Sequence, residues 1–205
     1  GRLEDKPDRK REHFDLLERE SLHLLDLTNR VLTLSKMEHH QLLLTKDWHP
    51  LRPAVDDLIQ VFEAKATKPV TFHTDLQAGE VYGDLEYLKE ALSNLIDNAL
   101  KYSKETVEIR IASRREADFI RISVRDNGIG IPLSAQRTIF DKFERVLPRD
   151  DGSGEKKVSG FGLGLNYVMN VSREHGGYVS VESVQGRFSE FTMSLPFPAT
   201  TDKTD

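Results

Sequence analysis

The sequence predicts an α+β fold: a two-layer sandwich in which a mixed, largely antiparallel sheet carries helices on one face, preceded by a long N-terminal helix. Three observations lead there. Residues 8 to 38 keep an unbroken helical periodicity. From about residue 42, strand-like runs alternate with helical ones. Two of those runs, "TVEIRIASR" and "DFIRISVRD", follow each other directly and each alternates apolar with polar, which predicts an antiparallel hairpin.

In the first helix, Leu17, Leu24 and Val31 recur every seven residues with Leu25 and Leu32 beside them, and Leu22, Leu27 and Leu34 widen the apolar surface. A face this wide calls for more than one neighbour, as in a bundle or a dimer interface. "QLLLTKDWHP" predicts a short strand, and residues 51 to 66 a helix entered through Pro53. "PVTFHTDL" alternates as a strand. Asp84 is placed to N-cap a helix over 85 to 102. After the hairpin, residues 133 to 143 read as helical and 144 to 160 as a long polar loop. A helix follows over 162 to 175, stopped by Gly176 and Gly177, and "YVSVESV" and "SEFTMSLP" close the domain as strands. The expected boundaries are 1–41 for the long helix, 42–198 for the sandwich and 199–205 for a disordered tail.

Composition narrows the function. The 205 residues suffice for one sizeable domain and an appendage, and the 38% hydrophobic content for a packed core. Charged residues make up 31%, mixed in sign with a net charge of -5, so no basic surface points to nucleic acid. With no cysteine there is no disulfide, thiolate chemistry or cysteine zinc site. No run of about 18 apolar residues is present to span a membrane, and no signal peptide is visible. The expectation is a soluble, cytoplasmic piece of something larger, because "GRLEDKPDRKREH" reads as a chain that begins inside a loop.

Three motifs carry the chemistry. On the helix over 85 to 102, which carries "SNLIDNALKYS", Leu88, Leu92, Leu95 and Ala99 form the core stripe. Asn94, Asn98, Lys101 and Tyr102 form a second stripe roughly 100° around the axis. Two amide oxygens, an ammonium and an aromatic ring suit a ligand with metal, phosphate and a flat base. In "DNGIGIP", a strand ends on Asp126, and Gly128 and Gly130 follow, giving a carboxylate acceptor and close backbone approach. In "GFGLGLN", Gly160, Gly162 and Gly164, with Leu163 between the last two, open a helix whose backbone N–H groups can meet an anion. Taken singly, these also fit a solvated helix face, an Asn-Gly turn and a flexible linker.

In order and spacing, with "FDKFERV" between the second and the third, the motifs resemble the N, G1, F and G2 boxes of sensor histidine kinases. The long helix ending "VLTLSKMEHHQLLL" resembles the second helix of that family's dimerisation and phosphotransfer domain, and the resemblance spans residues 8 to 197. It implies the Bergerat ATP-binding sandwich, with ATP and Mg2+ as cofactors. Asn98 would ligate Mg2+ through a neutral, hard amide oxygen, and Asn94 would contact the metal or the phosphates. Lys101 would neutralise phosphate charge, Tyr102 lie against adenine or ribose, and Asp126 accept the adenine amino N–H. Gly128 and Gly130 would let the base approach. Gly160, Gly162, Leu163 and Gly164 would meet phosphate where a lid, residues 144 to 160, closes over the nucleotide. Phe140 and Phe143 would pack the lid base, and Arg145 is a candidate for the γ-phosphate or for a surface ion pair. Implied partners are a response-regulator receiver domain and, at full length, a second copy of the chain. The implied location is the cytoplasmic portion of a membrane-anchored sensor.

The sequence departs from the pattern in two places. Phe188 stands where the last turn usually has a small residue. The acceptor motif, a histidine followed by an acidic residue and later a proline, is missing: His13, His23, His39 and His40 do not match it, so the acceptor helix is expected outside this chain. Two other readings belong to the same superfamily. A hydrolytic ATPase of the gyrase or chaperone type uses a glutamate one turn before the metal-binding asparagine as base for water, where this chain has Asn94. An anti-sigma-factor-like or protein-serine kinase relative would not need the long first helix.

Overall fold

The computed structural model describes residues 7–38, 42–144 and 161–198. The chain divides into two units, Gly1–Leu42 and Leu43–Asp205. The first holds helix α1 (Pro7–Glu38), 32 residues and about 48 Å long. Phe14, Leu17, Leu24, Leu25, Val31 and Leu32 on it are exposed. No helix among the described residues is long and apolar enough to cross a membrane.

The second unit is the sandwich. Its elements run β1 (Asp47–Pro50), α2 (Leu51–Lys65), β2 (Val70–Leu76), β3 (Glu80–Gly83), α3 (Leu85–Lys101), β4 (Val107–Glu116), β5 (Phe119–Asp126), α4 (Gly164–Glu174), β6 (Tyr178–Val184) and β7 (Phe188–Pro196). Five strands form one sheet in the order β2-β4-β5-β7-β6. Only β2 and β4 are parallel; the hairpin β4–β5 and the pairs β5–β7 and β6–β7 are antiparallel. Alternation decides which face is covered. Ile109, Ile111, Ile120, Ile122, Val124, Phe191, Met193 and Leu195 are buried beneath the helices, with Leu88, Leu92, Leu95 and Ile96 of α3 and Val168 and Val171 of α4 above them. The alternate positions carry charge, and Arg114–Asp75, Arg121–Glu116 and Arg125–Glu190 pair across the opposite face. The expected α+β two-layer sandwich, a mixed and largely antiparallel sheet with helices on one face, is therefore present.

Three local expectations need correction, and one strand is added. Residues 133–143 form a string of turns rather than a helix. Most of their backbone bonds span three residues, as in Thr138 N–H to Ala135 O. Side-chain bonds tie the segment to its surroundings: its own Gln136 Nε2 donates to Ile131 O and Ser183 O, and Asn166 Nδ2 donates to Phe140 O. The strand read from "QLLLTKDWHP" is confined to Asp47–Pro50. Its partner β3 was not anticipated. The two pair antiparallel as a separate small sheet, with Trp48 against Tyr82 and Phe197 at ring distances of 5.3 and 4.8 Å. Asp84 occupies the N-cap position of α3, but its side chain makes no cap bond. Its carboxylate accepts the Thr45 N–H at 2.9 Å, and its own N–H donates to Nε2 of buried His175 at 2.9 Å. Burial pushes the His175 pKa down, and Nδ1 donates to Val171 O.

Candidate nucleotide site

All three motifs adjoin helix α3. The expected core stripe, Leu88, Leu92, Leu95 and Ala99, is buried. The polar stripe is graded: Asn94 is buried, Asn98 and Tyr102 are half-buried, and Lys101 is exposed. Asn94 Nδ2 donates back one turn to Glu90 O at 2.9 Å. The other side of that carboxamide faces α4, since a Cβ added to Gly164 would lie 3.1 Å from Asn94 Oδ1. The Asn98 side chain has no hydrogen-bond partner among the described residues. Lys101 pairs with Asp97 one turn back, a surface pair that a phosphate could displace at little cost.

The Asp126 turn is wired into the fold on every side. Asp126 Oδ1 accepts the Gly128 N–H at 2.7 Å. Asn127 straps the turn to the start of β4, taking the Glu108 N–H at 3.0 Å and donating to Thr106 O at 3.2 Å. Ile129 N–H reaches Tyr102 O at 3.1 Å, at the end of α3, and Ile129 O accepts the Gly186 N–H. Ile131 N–H donates to Ser183 Oγ at 2.8 Å. Both glycines are required by the protein's own backbone. A Cβ at Gly128 would stand 2.5 Å from Tyr102 O; at Gly130, with φ +64, it would stand 2.2 Å from Val184 O. The Asp126 carboxyl is buried, and loss of water raises its pKa to about 6, against the pull of the Gly128 and Ser189 N–H groups and the Arg125 charge.

The third motif forms the head of α4. Gly162 has φ +72, and a Cβ there would meet Glu144 O at 2.8 Å. Its carbonyl accepts the Phe143 N–H at 3.1 Å. Leu163 is buried at the N-cap, where no side chain caps the helix, so the first N–H groups of α4 face outward with the positive end of its dipole. Gly160, Arg145 and most of the expected lid lie outside the described residues. Sequence reasoning passed over three side chains that position this head. Tyr167 is buried and its OH donates to Glu90 Oε2 at 2.6 Å. Asn166 holds Phe140 O, and Asn170 Nδ2 in turn donates to Asn166 Oδ1 at 3.0 Å. No local pattern marks the pair, because Glu90 and Tyr167 lie on different helices.

Along α3 the fold thus sets a buried carboxylate beside the helix C-terminus, the uncapped head of α4 beside Asn94, and the Asn98 carboxamide between them. Residues 83–199 match the family described as histidine kinase-, DNA gyrase B-, and HSP90-like ATPase. The sensor histidine kinase YkoH of Bacillus subtilis (strain 168) is 32% identical over 190 residues, covering 93% of this chain and 40% of that protein. The chain therefore spans about two fifths of that relative. Among solved structures, Acinetobacter baumannii histidine kinase AdeS superposes with a TM-score of 0.76 at 24% identity, covering 91% of this chain and 84% of that one. Full-length ShkA in complex with AMPPNP superposes with a TM-score of 0.77 at 24% identity, covering 92% of this chain and 39% of that one. The chain belongs to the family described as histidine kinase-, DNA gyrase B-, and HSP90-like ATPase.

Proposed function

We propose that this chain is the kinase core of a two-component sensor, binding ATP with Mg2+ and passing the γ-phosphate to a histidine on a dimerisation helix outside these residues, for relay to a response-regulator aspartate. The carrying observation is Asn94. One turn before Asn98, where a hydrolytic relative would hold a glutamate base, stands a buried carboxamide tied to Glu90 O at 2.9 Å. A carboxamide takes no proton from water. The bound triphosphate then survives until an acceptor side chain arrives in line.

The roles follow the cleft. Asp126 accepts the adenine amino N–H, which guanine, with an oxygen there, cannot offer. Tyr102 lies against the base or ribose, Lys101 exchanges Asp97 for phosphate, and the N–H groups from Gly162 to Gly164 meet phosphate oxygens. Asn98 fits as the Mg2+ ligand, with Asn94 near it, because its half-exposed amide oxygen is a neutral, hard donor. Among the described residues no group of three His, Cys, Asp or Glu side chains could hold a metal by itself. An ion shared between one amide, phosphates and water suits that shortage. When bound, Mg2+ would supply charge neutralisation along the phosphates. Arg145 and Gly160 complete the proposed set. The exposed apolar row on α1 supports a homodimer through that helix at full length, and the family likeness supports a receiver-domain partner and a cytoplasmic position in a membrane-anchored parent.

Incubation with γ-labelled ATP tests this. The chain alone should stay unlabelled and hydrolyse negligibly. With an intact dimerisation domain from its parent, the histidine of that domain should acquire an acid-labile, alkali-stable label. Robust labelling of the chain alone, or rapid phosphate release, would overturn the proposal.

A further inference from the structure

We infer that Glu90 and Tyr167 are positioning residues which hold the Asn94 carboxamide and the head of α4 in one fixed arrangement for the phosphates; this rests on the nucleotide reading above. A closed circuit of contacts carries the inference. The Glu90 carboxylate accepts from Tyr167 OH at 2.6 Å. Tyr167 lies in the first turn of α4, its N–H bonded to Leu163 O at 2.9 Å, one turn from Gly164. Gly164 backs onto Asn94, where an added Cβ would stand 3.1 Å from Oδ1. The far side of the same carboxamide returns to Glu90, Nδ2 donating to its carbonyl at 2.9 Å. One residue therefore grips both sides of the proposed phosphate end, by its carboxylate and by its backbone.

Burial alone does not account for this pair. Val168 and Val171 of α4 and Leu88, Ala91, Leu92 and Leu95 of α3 already supply apolar packing, which is non-directional. A buried phenol bonded to a carboxylate adds direction: it fixes the rotation and height of the α4 head against α3 through a short, charge-assisted bond. Neither residue reaches the Asp126 end, so the circuit acts on phosphates and leaves the base untouched.

Titrating the full chain with adenosine, and with ADP plus Mg2+, separates the possibilities. Tyr167→Phe keeps the ring and removes only the OH. It should bind adenosine as the wild type does and Mg-ADP roughly tenfold more weakly, the scale of losing a group that orients a ligand. Glu90→Gln, whose amide oxygen can still accept from the phenol, should fall between. Equal losses for both ligands would mean a structural role only and would overturn the inference, as would Tyr167→Phe binding both as tightly as the wild type. A wild type that bound neither ligand would overturn the nucleotide reading itself, and this inference with it.

Discussion

The two ends of the cleft are built on opposite principles. At the Asp126 end, the polar groups of the turn are consumed by the protein: Gly128, Asn127, Ile129 and Ile131 all bond to neighbouring elements. At the α4 end, the helix is uncapped and Asn98 has no partner among the described residues. The first end is a finished template, and the second presents groups that a ligand would complete. The contrast teaches where mutations should break folding and where they should break binding.

Glycine exchange at the template end should have the largest effect. Gly130 combines φ +64 with a Cβ position 2.2 Å from Val184 O. An alanine there meets backbone that cannot move without parting β6 from the turn. Gly130→Ala should cost on the order of 3 kcal/mol or more, read as a drop in denaturant midpoint with nucleotide absent. A stability change inside the error of the measurement would show that the template end is softer than its bonds indicate.

Asp126→Asn comes next, and it should separate stability from binding. The folded-state pKa, about 6, lies above the ordinary 3.8, so between those values the folded protein holds a proton that the unfolded chain has released. The stability that this group contributes is therefore fully present below pH 3.8 and is lost as pH rises through about 6, a difference of about 3 kcal/mol. Asparagine removes that penalty, so the variant should be more stable at neutral pH and lose this slope. Its affinity for adenine nucleotides should fall roughly tenfold to a hundredfold, since a hydrogen bond to a charged group contributes about 1.5–3 kcal/mol. Wild-type affinity should also weaken below about pH 6 as the acceptor takes a proton, and the variant should lack that step. Unchanged calorimetric affinity in Asp126→Asn would remove Asp126 from the site.

The same contrast governs what the sequence revealed. The helix α3, the hairpin and the closing strands were legible because each buries one face, and burial writes its period into the chain. The strand β3 was not: four residues ending in glycine carry too short a pattern, and their partner β1 lies more than thirty residues away. Residues 133–143 look helical, yet bonds from Gln136 to Ser183 O and from Asn166 to Phe140 O tie them down, and no local window contains those. At the site, the glycines and asparagines were visible as motifs. Glu90 and Tyr167 were not, because an ordinary charge and an ordinary aromatic gain meaning only when α3 and α4 lie side by side. The departure at Phe188 also has a physical setting, for its ring carries the Arg125 guanidinium at 3.7 Å.

At the open end, Asn98→Ala should leave folding intact, because the half-buried side chain makes no hydrogen bond to a described residue. Its loss should appear in Mg2+-dependent nucleotide affinity, roughly tenfold, the scale for a group in or beside a metal's coordination sphere. Affinity measured with the metal chelated should change far less. Equal losses with and without Mg2+ would reassign Asn98 to a phosphate or packing contact.

Of the two glycine exchanges, the smaller effect on stability is expected at Gly164, the counterpart of Gly130. It starts a helix, where alanine is favoured over glycine by up to about 1 kcal/mol, and the three nearest atoms to an added Cβ among the described residues all belong to the Asn94 side chain, Oδ1 nearest at 3.1 Å. A side-chain oxygen can give by a few tenths of an ångström, whereas the Val184 carbonyl facing Gly130 cannot. Gly164→Ala should therefore melt within a few degrees of the wild type, the two terms nearly offsetting. The displaced carboxamide is the one proposed to face the phosphates, so Mg-ADP affinity should still fall while adenosine binding holds. Thermal melts of the Gly130 and Gly164 variants side by side, followed by titration of whichever folds, decide the matter: if Gly164→Ala unfolds as readily as Gly130→Ala, both ends of the cleft are equally rigid and the contrast between a finished template and an open end fails.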